Sequence, residues 1–161
     1  MLACAFTGHR HIKSEHLSNL SDMLSRAIDY AYTNGCRRFM TGGALGFDTE
    51  AAREVLRFRI AHPDVSLSLV LPCENQSEHW SRRQIENYDY ILASANEVIY
   101  ISDKYTPTCM KERNRTLAEQ SDILIAYVSR ANSGAAQTVR MAEAMGKQIY
   151  NIYPALDSAA L

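Results

Sequence analysis

The sequence has 161 residues, of which 47% are hydrophobic and 22% are charged. This composition supports one folded domain and excludes a chain that is disordered throughout. The net charge of −1 speaks against the basic surface that bulk nucleic-acid binding needs. No apolar stretch approaches the ~20 residues that span a bilayer, and the N-terminus lacks the leading positive charges of a signal peptide. We therefore expect a cytoplasmic protein with no membrane partner.

Short apolar runs alternate with longer stretches of helical periodicity along the chain. In chain order, strands are predicted at 3–7, 38–41, 65–71, 97–101, 123–128 and 148–152. Helices are predicted between them at 14–34, 48–61, 77–94, 107–120 and 135–145. Because strands that alternate with helices imply right-handed crossovers, the pattern predicts a Rossmann-like three-layer α/β/α sandwich with a mostly parallel sheet of about six strands. Residues 1–152 form the single predicted domain, and 153–161 are predicted to be a short C-terminal tail.

Ligands of such sheets bind beyond the carboxyl ends of the strands, so the loops after the strands carry the site predictions. The first strand ends in Thr7-Gly8-His9-Arg10. Gly8 permits a tight turn or a close backbone approach, and Arg10 is suited to pair with a phosphate. His9 and His11 form an H-x-H pair, which we interpret as part of a polar loop.

The second strand leads into a glycine-rich loop, TGGALGFD. Its glycines, Gly42, Gly43 and Gly46, let backbone amides approach an anion closely. The loop matches neither the Walker A pattern nor G-x-G-x-x-G. Asp48 either caps the following helix or binds a ribose hydroxyl, and composition favours neither interpretation.

A second predicted anion site follows the fifth strand. Ser133 and Gly134 precede a helix that carries Thr138, and two such loops on one parallel sheet predict a phosphate-bearing ligand that spans two strand ends. After the third strand, the single tryptophan, Trp80, either stacks on a base or packs in the core.

The helix at 107–120 carries Arg113 and Asn114. Asn114 falls on the same face as Met110 and Leu117, which predicts that its amide is buried and hydrogen-bonded. We expect Asn114 mainly to order the glycine loops, and Arg113 to contact the phosphate of the ligand.

Metal chemistry is not expected. The four cysteines, at positions 4, 36, 73 and 109, lack metal-ligand spacing. We interpret them as free thiols, and we expect no metal site and no obligatory cofactor.

Several segments resemble the SLOG superfamily, which is named for the Smf/DprA and Lonely Guy proteins. These segments are TGHR, TGGALGFDTEAA, MKERNRTLAEQSDILIAYV and SGAAQTVRMAEAMGKQIYNI. They occur in the order of the superfamily and cover about residues 1–152. The branch that the chain most resembles contains small, stand-alone, YpsA-like bacterial proteins of unassigned function. The resemblance implies a Rossmannoid fold and a nucleotide or nucleotide-derived ligand.

Three functions follow from these observations. The first is a sensor or regulatory protein whose partner is a small nucleotide-type ligand, with a homo-oligomer left open. The second is a Lonely Guy-like nucleoside monophosphate phosphoribohydrolase, in which an essential Glu would stand where this chain has Met141. Glu143 would point ~160° away from that direction on the helix, so we lean against an enzyme. The third is Smf/DprA-like binding of single-stranded DNA, which the near-zero net charge disfavours.

Overall fold

A computed structural model describes residues 2–161, in which strands and α-helices alternate. The strands are β1 (Leu2–Gly8), β2 (Cys36–Thr41), β3 (Ser66–Cys73), β4 (Glu97–Ser102), β5 (Ile123–Tyr127) and β6 (Gln148–Asn151). The helices are α1 (Leu17–Thr33), α2 (Phe47–Ala61), α3 (Arg82–Ser94), α4 (Cys109–Gln120), α5 (Gly134–Ala144) and α6 (Tyr153–Ala159). A short 3₁₀ turn, Ser14–His16, precedes α1.

The six strands form one sheet in the order β4-β3-β2-β1-β5-β6, and every neighbouring pair is parallel. The prediction of a Rossmann-like parallel sheet is therefore confirmed. Strands β2, β3 and β4 are added one after another on one side of β1. The chain then returns, and β5 pairs with the other side of β1. The sheet thus has its topological switch point between β1 and β5, where Gly8 lies opposite Tyr127. A crevice opens beyond the strand ends at such a point.

The side chains of β1 alternate between the two faces of the sheet. Cys4 and Phe6 belong to a core cluster that includes buried residues of α1, α2, α3 and α6. Ala3 and Ala5 belong to a second cluster, with buried residues of α4 and α5. Helices therefore cover both faces, and the small alanine side chains allow the second helical layer to lie close to the central strand.

The first turns of two helices differ from the sequence prediction. α3 begins at Arg82, because residues 74–79 form turns and Ser81 caps the helix. The Ser81 hydroxyl accepts a hydrogen bond from the backbone N–H of Gln84, and the Gln84 side chain accepts one from the N–H of Ser81. This reciprocal pair fixes the start of a helix. α4 begins at Cys109, two residues after the predicted start at Pro107.

The segment predicted to be a C-terminal tail contains α6. Pro154 lies in its first turn, where a missing N–H is tolerated. Leu156 is fully buried in the first core cluster. Asp157 accepts a hydrogen bond of 2.6 Å from Nε2 of the buried His16. These contacts anchor the end of the chain on α1. None of the helices within residues 2–161 has the length and apolar character needed to cross a membrane.

Candidate functional site

A cavity of about 440 Å³ occupies the crevice between β1 and β5. Its wall is built by the β1 loop, the start of α2, one face of α4 and the start of α5. Among the residues predicted for the site, the wall contains Gly8, Arg10, Asp48, Arg113, Asn114, Ser133 and Gly134. The fold therefore brings together residues from four separate segments of the chain at the position that parallel sheets use for ligands.

His9 joins the two loops on either side of the crevice. Its backbone N–H donates to the carbonyl oxygen of Tyr127 at 3.2 Å, and its Nε2 accepts from the backbone N–H of Ser129 at 2.9 Å. Burial, followed by the charge of Arg130, lowers the pKa of His9. A neutral ring can accept this hydrogen bond. The sequence pattern predicts a polar loop at His9 but does not reveal this bridge, because Ser129 lies 120 residues away in the chain.

The glycines of the β2–α2 loop lie behind the cavity wall. A side chain at Gly42 would overlap the guanidinium of Arg113, and one at Gly46 would overlap the backbone of Arg10. At Gly43, where φ is +67°, a side chain would overlap Leu71 in the core. None of the three glycines lines this cavity, and the expectation that their amides approach an anion stays a prediction. Their visible role is to let the loop pack tightly against its neighbours.

Asp48 is the second residue of α2, and it does not cap that helix. The N-cap is Gly46, and Oδ2 of Asp48 turns back to accept from the N–H of Ala44 at 3.2 Å. Oδ1 is buried without a partner among the described residues. Burial raises the pKa of Asp48 to about 6, while the charge of Arg113 opposes this shift. Asp48 is the one acidic residue on the wall of this cavity, and its Oδ1 lies below the surface of that wall, near the backbone of Gly42.

The contact with the glycine loop is made by Arg113 and not by Asn114. Arg113, only 6% exposed, donates from Nη1 to the carbonyl oxygen of Gly42 and from Nε to Oδ1 of Asn114. The arginine therefore orders the glycine loop, and the asparagine orients the arginine. Both residues also line the cavity, together with Met110 and Leu117 of the same helix face. The predicted burial of Asn114 is thus observed, but its partner is its neighbour in the chain.

The start of α5 presents unpaired backbone N–H groups to the cavity. The Ser133 hydroxyl caps the helix by accepting from the N–H of Ala136 at 3.1 Å. No acceptor within residues 2–161 pairs with the N–H groups of Gly134 and Ala135, and both residues line the cavity. Such a helix start attracts anions. Arg130, which the sequence analysis did not select, lies on the same wall.

Four further residues that the sequence singled out lie off the wall. Thr138 is fully buried and donates to the carbonyl oxygen of Gly134 within α5. Trp80 packs against the core, with its ring 5.0 Å from that of Tyr88, so the structure supports the packing interpretation. Met141 packs against the second core cluster, and Glu143 is exposed.

Charge on the cavity wall is mainly positive. Arg10, Arg113 and Arg130 face the single carboxylate of Asp48. Guanidinium groups suit planar, bidentate contacts with phosphate oxygens. Within residues 2–161, no three His, Cys, Asp or Glu side chains are grouped so that they could hold a metal ion.

The model of the YspA SLOG family matches residues 5–155 of this chain. An uncharacterised SPbeta prophage-derived protein, YoqJ of Bacillus subtilis, is 28% identical over 158 residues, which cover 89% of this chain and 92% of YoqJ. Solved structures of DNA processing protein A (DprA) have the same fold. The protein from Streptococcus pneumoniae has a TM-score of 0.66 at 17% identity. The Helicobacter pylori protein, described for its single-stranded DNA binding mode, has a TM-score of 0.66 at 20% identity.

Both similarities to DprA cover 92% of this chain. They cover 49% of the S. pneumoniae chain and 63% of the H. pylori chain. This chain therefore spans about half to just under two thirds of the DprA structures that it resembles, and the likeness concerns the fold alone.

Proposed function

This chain belongs to the YspA SLOG family, and from that premise we propose that its cavity binds a nucleotide or nucleotide-derived phosphate ligand, as a sensor or regulatory protein. The proposal rests on one observation: the wall of the cavity combines groups that bind anions with a carboxylate that accepts hydrogen bonds. Three arginines and a helix start favour an anion, and beside them a buried carboxylate oxygen, Oδ1 of Asp48, has no partner among the described residues.

The phosphate is assigned to the start of α5. The N–H groups of Gly134 and Ala135 and the side chain of Arg130 provide donors there, and an anion at this position is favoured by both hydrogen bonding and the helix dipole. Arg113 adds charge from the opposite wall, where its hydrogen bonds to Gly42 and Asn114 hold it in place. An arginine that is already ordered loses little further freedom when the ligand binds.

The sugar is assigned to Asp48. Asp48 is the one carboxylate on this wall, and a carboxylate is the side chain best suited to accept hydrogen bonds from sugar hydroxyls. A ligand that carries both an anion and hydroxyl donors is a phosphorylated sugar, and nucleotides are the general class with both groups. A role in recognition is favoured over phosphoribohydrolase chemistry, because neither Met141 nor Glu143 reaches the wall.

Isothermal titration calorimetry with ribose 5-phosphate, AMP and ADP-ribose tests the proposal. We expect at least one of these compounds to bind, and Arg130→Ala to weaken binding about tenfold, which corresponds to ~1.4 kcal/mol. The matched control is Arg82→Ala, because Arg82 is an exposed arginine outside the cavity.

Three outcomes would contradict the proposal. One is the absence of binding by all three compounds to folded protein. Another is release of the base from AMP, measured by mass spectrometry, which would make the protein a hydrolase. The third is salt-sensitive binding of oligonucleotides without affinity for mononucleotides, which would indicate binding of single-stranded DNA.

A further inference from the structure

A second cavity of about 350 Å³ adjoins the first at the carboxyl end of β3. Arg10 and Met110 line both cavities. The second cavity, here called the β3 recess, is otherwise lined by Cys73, by the loop after β3 and by Tyr105 from the loop before α4. A ligand that starts at α5 can therefore continue past Arg10 into this recess.

Two side chains of the β3 recess, Gln76 and Glu78, offer hydrogen-bond acceptors beside the donors of Arg10, Asn75 and His79. Gln76 donates from Nε2 to the carbonyl oxygen of Gly43 at 3.2 Å and to the Tyr88 hydroxyl at 3.1 Å. Both N–H groups of its amide are thus used, which fixes the amide and leaves Oε1 as the group that it can offer. The carboxylate of Glu78 adds a second acceptor to the lining. The two acceptors of Gln76 and Glu78 suit a ligand with N–H donors.

The remaining lining is suited to a flat ring. Tyr105 has 64% of its surface exposed, so its ring is free to stack on a ligand. Met110 and Cys73 supply polarisable sulfur and apolar surface. Aromatic stacking combined with N–H recognition is how proteins commonly hold the base of a nucleotide.

We propose that the β3 recess holds the nucleobase, and that it prefers a base with an exocyclic amino group. The inference rests on the proposed function, because it assumes that the phosphate lies at α5. In this arrangement the base stacks on Tyr105 and donates its amino hydrogens to Gln76 Oε1 and Glu78. Arg10 lies between the base and the phosphate, since it lines both cavities.

The test compares three probes that share a phosphate: AMP, IMP (which has a carbonyl in place of the amino group) and ribose 5-phosphate (which has no base). We expect the wild-type protein to bind AMP at least tenfold more tightly than either of the others. Tyr105→Ala should reduce AMP binding to the level of ribose 5-phosphate. Glu78→Gln should narrow the difference between AMP and IMP, because an amide can donate to the carbonyl of IMP.

Tyr90→Ala is the matched control, since Tyr90 is also 64% exposed but lies outside the β3 recess. Thermal unfolding of each variant verifies that it folds. If AMP and ribose 5-phosphate bind equally, Tyr105→Ala changes neither, and Arg130→Ala weakens both, the base recess is refuted while the phosphate site stands. If neither compound binds the folded wild-type protein, both proposals fail.

Discussion

Arg113 on α4 donates a hydrogen bond to the carbonyl oxygen of Gly42, a residue that lies 71 positions earlier in the chain. The guanidinium takes up the space that a side chain at Gly42 would need. This contact joins the helical layer behind β1 to the loop after β2. It also holds a buried arginine at the wall of the cavity, so the geometry of the candidate site depends on the absence of a side chain at Gly42.

Replacement of Gly42 by alanine should disturb stability and binding together. The new methyl group would displace the guanidinium of Arg113, and such overpacking typically costs about 1–3 kcal/mol. We expect a lower melting temperature and at least tenfold weaker AMP binding. Gly134→Ala is the control for stability alone, because a Cβ there would meet only Nδ2 of Asn114 at an ordinary 3.8 Å, while Gly134 itself belongs to the proposed phosphate site. Equal melting temperatures for the two variants would contradict the role of this contact.

Replacement of Gly43 by alanine should primarily destabilise the fold. Gly43 and Gly146 have similar positive φ values, +67° and +75°, and this conformation costs an L residue roughly 1–2 kcal/mol. A side chain at Gly43 would also overlap Leu71, whereas nothing lies within 4 Å at Gly146. Urea denaturation should show that Gly43→Ala loses at least ~1 kcal/mol more than Gly146→Ala.

Substitution of Asp48 by asparagine should change how stability depends on pH. Burial raises the pKa of Asp48 to about 6 in the folded protein, against an ordinary value near ~4 in an unfolded chain. Between these values the folded state holds the proton that the unfolded state has lost, so stability decreases as pH rises from about 4 to about 6. Asparagine does not titrate, and the variant should gain up to ~3 kcal/mol relative to wild type over this interval.

Urea unfolding of both proteins at several pH values between about 4 and 8 measures this difference. The gain of the variant should level off above the pKa of Asp48, because the carboxyl group is then ionised in both states. A difference in unfolding free energy that does not change with pH would show that Asp48 titrates like an exposed carboxylate.

Shortening of Leu156 to alanine should destabilise the protein even though the residue lies only five positions before the last residue, Leu161. Its side chain is fully buried, and truncation of a buried leucine typically costs about 2–5 kcal/mol. Leu161→Ala is the control, since Leu161 is exposed and such surface changes stay within about 0.5 kcal/mol. Similar unfolding free energies for the two variants would mean that α6 contributes little to the fold.

Much of the architecture was readable from the sequence, because it depends on local patterns. Alternating short apolar runs and amphipathic stretches gave all six strands within a few residues of their observed bounds, and the alternation itself predicted the parallel arrangement. Predictions of helix bounds were wrong where the hydrophobic periodicity of the sequence is weak. The segment 153–161 is too short for its hydrophobic periodicity to predict α6. The predicted third helix included residues 77–81, which precede the observed start of α3 at Arg82.

For the candidate site, too, local sequence patterns predict one part and the tertiary structure decides the other. The cavity is lined by residues that the sequence singled out, Gly8, Arg10, Asp48, Arg113 and the start of α5, because parallel strands place the loops that follow them at one edge of the sheet. Which groups on these loops touch each other depends on the strand order, and local pattern does not encode it. The strand order β2-β1-β5 brings His9 next to Ser129 and Arg113 next to Gly42, so that each pair forms a hydrogen bond. The same packing leaves Oδ1 of Asp48 without a partner among the described residues. These contacts join residues up to 120 positions apart, so only the packed tertiary structure decided them.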